Sequence, residues 1–310
     1  MERTFSFMAQ FAQEIGAIAA DNRLGAAEIL THAARVFSHL RQEAGQAQDI
    51  TRAEARRIVS AIAAGLLDAH PDMAPLANLV SAVIERMGQV DTSIVKEAAA
   101  AAEDFVRHAR QAVENAAIHG AELVQDGVTL MTHSRSSTVL QALGIARRDG
   151  RNFTVIATES RPVMEGKVLA ESLAARGLSV SFIADATAAA VMDRVDLVIV
   201  GADTITPSSV VNKVGTVMIA LAAREHGVPV YAIADTTKFT SNPEPASRDP
   251  HRGDELWIDP PHGVTVLNRY YEAAPLHLFE KIVTEDGPLD PKQASERAAG
   301  SKVAAIPEHS

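Results

Sequence analysis

Residues 128–143 read VTLMTHSRSSTVLQAL. An apolar run stops at Thr132. Five polar side chains follow, His133, Ser134, Arg135, Ser136 and Ser137, and an apolar pattern then resumes at Val139. This is the signature of a strand that ends in a polar turn and runs into a helix. The texture repeats downstream. Short β-rich runs occur at 128–132, 153–158, 179–184, 197–200 and 228–234, with a sixth near 264–267. Helical stretches lie between them. Residues 163–176 place Leu169 and Leu173 four apart, and residues 213–226 place Val214, Val217, Met218 and Leu221 at amphipathic spacing. Gly177 and Gly227 follow those helices as C′ residues. Apolar strands alternating with helices predict βαβ units and a parallel sheet covered on both faces.

Upstream, residues 1–126 are rich in Ala, Leu, Ile, Arg and Glu, with few β-branched runs, and predict helices. Thr51 reads as an N-cap with Glu54 three residues on, a capping box. His70-Pro71 and Asp72 break the pattern before another helix. Residues 90–124 predict one long helix that ends near Gly120 or Gly127. The expected organisation is a helical domain at 1–126, an α/β domain at 127–287 and a mobile tail or loosely attached helix at 288–310. Residues 241–263, rich in Pro and charge, predict a long loop.

Composition narrows the function. A chain of 310 residues fits about two domains. The net charge of −10 argues against a general nucleic-acid binder, whose footprint is basic. With no cysteine, neither disulfides nor thiolate chemistry is available. No apolar run approaches the ~20 residues of a membrane span, and the N-terminus does not read as a secretory signal. A cytoplasmic protein with no membrane or nucleic-acid partner is expected. The histidines are scattered without ligand spacing, so no metal site is expected. No cofactor is expected either, since neither a GxGxxG after the first strand nor a GxxxxGK[ST] is present.

In an open parallel sheet, ligands bind beyond the carboxyl ends of the strands. Those ends carry His133 to Ser137, then Glu159, Ser160 and Arg161, then Asp185, then Asp203, then Asp235 to Lys238. Each has a bland reading. Ser136, Ser137 and Thr187 serve as N-caps, Asp185 as another, and His133 as a satisfied structural histidine. Asp203, after Gly201-Ala202 and before the irregular stretch TITPSSVV, is the hardest to read as structural. Arg161 offers a bidentate clamp for a phosphate. The segment Asn212-Lys213-Val214-Gly215-Thr216 reads as a helix opening that suits an anion, because free N–H groups and the helix dipole favour negative charge. Together these features predict a pocket for a small phosphorylated ligand, a sugar phosphate or a nucleotide.

THSRSSTVLQAL, ESRPVMEGKVLAESL, DLVIVGADTI, VNKVGTVMIALAAREHGVPVYAIADTTKF and FEKIVTEDG resemble, in order and spacing, one family. It unites the alpha, beta and delta subunits of eukaryotic translation initiation factor 2B, ribose-1,5-bisphosphate isomerase and methylthioribose-1-phosphate isomerase. The resemblance covers about residues 125–287 and is fainter in NRLGAAEI (22–29) and HPDMAPLANLV (70–80). It implies an α/β protein, an N-terminal helical domain followed by a Rossmann-like parallel-sheet domain, that forms a homodimer or higher homo-oligomer. In the isomerases an aldose 1-phosphate becomes a ketose 1-phosphate, which requires an acid and a base in a site shielded from water. The resemblance implies that Asp203 and Ser134 stand at the catalytic positions. Arg161, Asn212, Lys213 and, near the N-terminus, Arg23 stand at ligand positions.

Ser134 departs from the family, which has a cysteine there. A thiol ionises near ~8.5. A serine hydroxyl is a far weaker acid and needs an adjacent base. His133, its neighbour in the chain, points to the opposite face of a strand. Two further departures are Thr204, where the isomerases commonly have Arg, and NRYYEAAPL (268–276) in place of the late family motif. Two functions are therefore expected in competition. One is an aldose–ketose sugar-phosphate isomerase with Asp203 and Ser134 catalytic and with Arg23, His133, Arg135, Ser136, Ser137, Glu159, Arg161, Asn212 and Lys213 holding the ligand. The other is a regulatory or assembly protein like the initiation-factor subunits.

Overall fold

The computed structural model describes residues 2–20, 25–46, 50–71, 73–90, 92–242 and 252–301. Five helices come first: α1 (Glu2–Ala20), α2 (Ala26–Gln46), α3 (Arg52–Ala69), α4 (Ala74–Gly88) and α5 (Ile94–Glu122). The capping box at Thr51 is present. The Thr51 hydroxyl accepts from the Glu54 N–H at 3.3 Å, and the Glu54 carboxylate accepts from the Thr51 N–H at 3.0 Å. α3 ends at the His70-Pro71 break, and Pro75 sits in the first turn of α4, where its missing N–H costs nothing. Phe37, Leu40, Ile62, Leu66, Leu76, Leu79 and Met87 are buried in this unit's core with Ala98, Ala99 and Ala102 of α5. Alanines on that face let the helix backbones approach closely.

The remaining elements are β1 (Thr129–Thr132), α6 (Ser137–Arg148), β2 (Thr154–Thr158), α7 (Glu165–Ala174), β3 (Ser179–Ile183), β4 (Leu197–Gly201), β5 (Thr204–Ile205), β6 (Ser209–Lys213), α8 (Thr216–Glu225), β7 (Val230–Ile233), β8 (Tyr271–Pro275), β9 (Lys281–Thr284), β10 (Gly287–Leu289) and α9 (Pro291–Ala299). Seven strands form one sheet in the order β10-β9-β7-β4-β1-β2-β3, parallel except for the edge strand β10. The strand side chains alternate between two cores. Leu130, Val155, Leu197 and Ile199 pack on the side of α6 and α7, while Met131, Ile156, Val198 and Val200 pack on the side of α8. The two covered faces explain why these strands read as continuous apolar runs. The chain winds outward from β1 through β2 to β3, then returns to place β4 on the other side of β1. That reversal lies between β1 and β4, and it opens a crevice at their carboxyl ends.

Several expectations are corrected. The described residues divide into compact units at Gln111 and Ala112, not at 126 and 127. The last turns of α5 bury Ala116, Ala117 and Ala121 with Leu130, Val139 and Leu143 of the second unit. The tail expected at 288–310 is not loose where it is described: Asp290 and Gln293 form a second capping box, and Ala294 and Ala298 of α9 are fully buried. Residues 302–310 lie outside the described residues. No strand forms at 264–267; the sixth parallel position is filled by β9. The link between β3 and β4 is two short 3-10 turns rather than an α-helix. Residues 204–213, expected to be irregular and then helical, instead form β5 and β6, which join β8 in a separate antiparallel sheet. Of the expected loop at 241–263, residues 243–251 lie outside the described residues. No described helix is long and apolar enough to cross a membrane.

Replacing Thr51 with Ala removes an N-cap that satisfies an otherwise orphaned N–H. It should cost about 1 kcal/mol, within the ~0.5–2 kcal/mol seen for such caps, measured as a lower midpoint in equilibrium urea unfolding. An unchanged midpoint would show that α3 does not depend on its cap.

Candidate active site

The polar turn after β1 carries two buried or half-buried groups facing different partners. His133 is fully buried. Its Nε2 lies 2.9 Å from the Val214 carbonyl oxygen and its Nδ1 2.6 Å from the Thr158 hydroxyl. A carbonyl only accepts, so Nε2 carries the proton and Nδ1 accepts from Thr158. Burial pushes the His133 pKa down, against the Val214 hydrogen bond and the Asp185 and Glu165 charges, so the ring is neutral. Gly215, at φ +109°, leaves room for this ring: a Cβ there would sit 2.9 Å from Nε2. His133 thus bridges β1 and the start of α8 through both ring nitrogens.

Ser134 has left-handed backbone (φ +68°), and its N–H donates to the Ser160 hydroxyl at 2.7 Å. Its own hydroxyl donates to Oε1 of Glu165 at 3.0 Å. The same oxygen accepts from the Lys213 ammonium at 2.8 Å. Lys213 is nearly completely buried, and its Nζ lies 4.8 Å from the centre of the Tyr270 ring and 5.3 Å from that of Tyr271. A lysine out of water requires such company: a carboxylate and two ring faces replace its hydration. Glu165 opens α7, and the next residue, Gly166, brings that helix against the end of β2. A Cβ on Gly166 would meet the Thr158 carbonyl oxygen at 1.9 Å. The absence of a side chain there delivers Glu165 to Ser134. The second oxygen of Glu165 is buried and has no hydrogen-bond partner among the described residues.

Asp203 follows β4 across the crevice. Its N–H donates to the Val211 carbonyl, which holds the turn, while its half-buried carboxyl has no hydrogen-bond or ion-pair partner among the described residues. Desolvation raises its pKa; the Lys238 and Lys213 charges oppose the shift and the Glu165 charge adds to it. Lys238 donates to the Ala202 carbonyl at 2.5 Å. The Tyr271 phenol is pushed well up, first by burial and then by Asp203 and Glu165. Asp203, Glu165, Lys213 and Tyr271 thus form one polar cluster, which Ser134 joins by its hydrogen bond to Glu165.

The other expected ligand residues divide. Asp185 accepts from the N–H groups of Ser160 and Arg161 at 2.8 and 2.7 Å, fixing the turn after β2. The Arg161 side chain reaches the Glu255 carbonyl at 3.2 Å. Ser136 is the N-cap of α6, accepting from the Val139 N–H at 3.2 Å. Arg135 and Ser137 are exposed, and Glu159 is half-buried at the end of β2. Asn212 is buried with its amide on the Thr216 hydroxyl at 3.0 Å. Arg23 lies outside the described residues.

The anion site expected at the helix opening of 212–216 is corrected. Asn212 and Lys213 end a strand, and α8 starts only at Thr216. The Gly215 and Val217 N–H groups both donate to Glu272 at 2.8 Å, so a carboxylate of the protein already occupies the helix start. Glu165, Glu272, Tyr270 and Tyr271 were absent from the expected site. Glu165 had one legible sign, its place at a helix start just past the Arg161-Pro162 turn. No group of three or more metal-ligating side chains is found among the described residues.

Comparison with known proteins gives a consistent picture. The model of the Initiation factor 2 subunit family matches residues 23–291. A ribose 1,5-bisphosphate isomerase of Pyrococcus furiosus is 35% identical over 208 residues, 63% of this chain and 63% of that protein. The match thus spans less than two thirds of that relative's length. A ribose 1,5-bisphosphate isomerase of Archaeoglobus fulgidus is 32% identical over 239 residues, 74% of this chain and 75% of the relative. Among solved structures, a translation initiation factor eIF-2B of Pyrococcus horikoshii OT3 superposes with a TM-score of 0.75 at 28% identity, covering 94% of this chain and 98% of the other.

The raised pKa of Asp203 has a stability consequence. Between the ordinary carboxyl value of ~3.9 and its own raised value, the folded state binds a proton that the unfolded state has released. Stability therefore falls as pH rises through that window. Asp203→Asn removes the half-buried, desolvated ionisable group. The variant should unfold at a higher temperature than the parent at neutral pH, with the gain shrinking towards pH 4. Parallel melting curves across that range would show that burial does not penalise this carboxylate.

Proposed function

We propose that this chain, which belongs to the Initiation factor 2 subunit family, is a sugar-phosphate isomerase that interconverts an aldose 1-phosphate and a ketose 1-phosphate. A substrate like ribose 1,5-bisphosphate suits it best. The observation that carries this reading is the placement of Asp203. A carboxyl with a raised pKa, and with no hydrogen-bond or ion-pair partner among the described residues, stands at the carboxyl end of β4 where the charges of two lysines reach it. A glycosyl phosphate has no free aldehyde, so its ring oxygen must take up a proton before the ring opens. A carboxyl whose proton is held more tightly than an ordinary carboxyl's, because burial disfavours its charge, is suited to give it.

The rest of the cluster supports the same chemistry. Arg161, Lys213 and Lys238 supply positive charge near the strand ends of a chain with net charge −10, where a phosphorylated ligand would otherwise be repelled. The relatives named as ribose 1,5-bisphosphate isomerases agree with this substrate class. We extend the proposal to a homodimer or higher homo-oligomer in solution. The alternative, a regulatory protein that binds such a ligand without turning it over, is favoured by one observation. The Ser134 hydroxyl already spends its hydrogen on Glu165, so no thiol-like donor faces a substrate.

A phosphorus and proton NMR time course separates the two readings. Purified protein is given ribose 1,5-bisphosphate, methylthioribose 1-phosphate and other aldose 1-phosphates. Ketose product is expected from at least one of them and should vanish with Asp203→Asn, because general acid catalysis contributes about 10²–10⁴-fold. Ligand line-broadening without product would favour the regulatory protein. Product formed at the parent rate by Asp203→Asn would remove that carboxyl from the reaction. Arg161→Ala should weaken the binding of the same ligands, and unchanged affinity would take Arg161 out of the pocket.

A further inference from the structure

We propose that Glu165, through its unpartnered Oε2, is the base of this reaction, and that Ser134 positions it rather than acting on the substrate. The inference rests on the isomerase reading above. Oε1 of Glu165 is doubly committed, to Lys213 at 2.8 Å and to the Ser134 hydroxyl at 3.0 Å. Oε2 is buried and receives nothing from the described residues. A buried carboxylate oxygen left without a donor is costly, and such an orphan in a folded protein marks a place where a catalytic role, a water or an ion accounts for it. The hydroxyl groups of a sugar are donors of the kind it lacks.

The cluster also divides the two roles. Asp203 has no hydrogen-bond or ion-pair partner among the described residues and its pKa is raised; Glu165 has an ammonium beside it. Two carboxyl groups in contrasting environments are the arrangement that separates an acid from a base. The electron count closes without any further reagent. The proton on the substrate's O2 passes to Glu165 Oε2, and the O2–H pair becomes the second bond of the C2 carbonyl. The hydrogen on C2 moves with its electron pair to C1. The pair of the bond between C1 and the ring oxygen returns to that oxygen, which takes the Asp203 proton. Both carboxyl groups then exchange protons with water.

Ser134 is suited to the holding role. Its hydroxyl donates to Glu165 and its N–H is fixed by Ser160. Together with Lys213 it fixes the rotation of the Glu165 carboxylate, so that Oε2 is the oxygen left without a donor among the described residues. Nothing in this arrangement requires the serine to ionise.

The test compares three variants of the full chain with ribose 1,5-bisphosphate as substrate. Glu165→Gln should lower kcat by at least about 100-fold, the lower end of what general base catalysis contributes, with KM little changed. It should also abolish the acid limb of the kcat–pH profile. Ser134→Ala should lower kcat by less than about tenfold and keep that limb, because Lys213 still holds Oε1. If Glu165→Gln fails to fold, since it leaves Lys213 without a counter-charge, Glu165→Asp decides. That variant keeps the charge but withdraws the oxygen by one methylene, and its kcat should fall with the acid limb retained. The inference is overturned, and the isomerase reading kept, if Glu165→Gln or Glu165→Asp matches the parent, or if Ser134→Ala falls as far as Glu165→Gln. Absence of product from the parent protein overturns both.

Discussion

The ion pair between Lys213 and Glu165 is the constraint around which the second unit's polar centre is arranged. Lys213 ends β6, Glu165 starts α7, and the two are joined at 2.8 Å, the lysine nearly completely buried and the glutamate partly so. Neither charge is tolerable there alone. Breaking such a pair by removing one partner typically costs about 3–5 kcal/mol. The pair therefore commits the neighbouring chain. β8 must run beside β6, because Tyr271 pairs with Lys213 in register and, with Tyr270, covers the ammonium. α7 must start close against β2, which Gly166 permits. The turn after β1 must present the Ser134 hydroxyl to the same carboxylate, which its left-handed backbone allows.

A second carboxylate works the same way one step further along. Glu272 accepts the first free N–H groups of α8 and so ties β8 to that helix. His133, held neutral between Thr158 and the Val214 carbonyl, ties β1 to the same point. The small antiparallel sheet is thus fastened to the large one by polar groups that satisfy each other. This fits the general rule that buried polar networks are stable only when nearly complete. The Glu165 Oε2 is one of two buried side-chain atoms without a partner among the described residues, the other being Asn268 Oδ1.

The parallel sheet was legible in the sequence because both of its faces are covered. Runs such as 153–158 and 197–200 need no alternation, and the helices between them keep their own spacing. The antiparallel sheet was not legible. Its strands are short, β6 carries Asn212 and Lys213 at its end, and β8 pairs with it across some sixty residues of chain. Local pattern records neither long-range pairing nor a buried charge whose partner lies elsewhere, so Asn-Lys before a glycine read as a helix opening. The strand at 264–267 failed for the converse reason: its apolar residues are mostly exposed, with Leu267 at 73%. The strand-end rule singles out Asp203 and Ser134, because it rests on topology rather than on any one motif, whereas Lys213 entered through the helix-opening reading that the strand β6 replaces. Glu165 and Glu272 escaped it, since a glutamate at a helix start or within a strand has a solvated reading unless its partner is seen.

Serine in place of a thiol looks like the loss of an acid. The geometry gives a different account of what the position needs. A thiol near ~8.5 is useful where a side chain must hold or release a proton close to neutral pH. Here the Asp203 carboxyl already has its pKa raised by burial, and a carboxylate stands next to the serine with one oxygen unspent. With both proton-handling groups supplied by carboxyls, the residue at 134 is left with a geometric requirement: to donate one hydrogen bond in a fixed direction. A hydroxyl does that better than a thiol, whose S–H is a weak donor. The same hydrogen bond would hold Glu165 still in a protein that only binds its ligand, so the serine alone does not decide between catalysis and recognition. That decision rests with Asp203, whose desolvated, unpartnered carboxyl is a liability to stability and has no structural duty among the described residues to offset it.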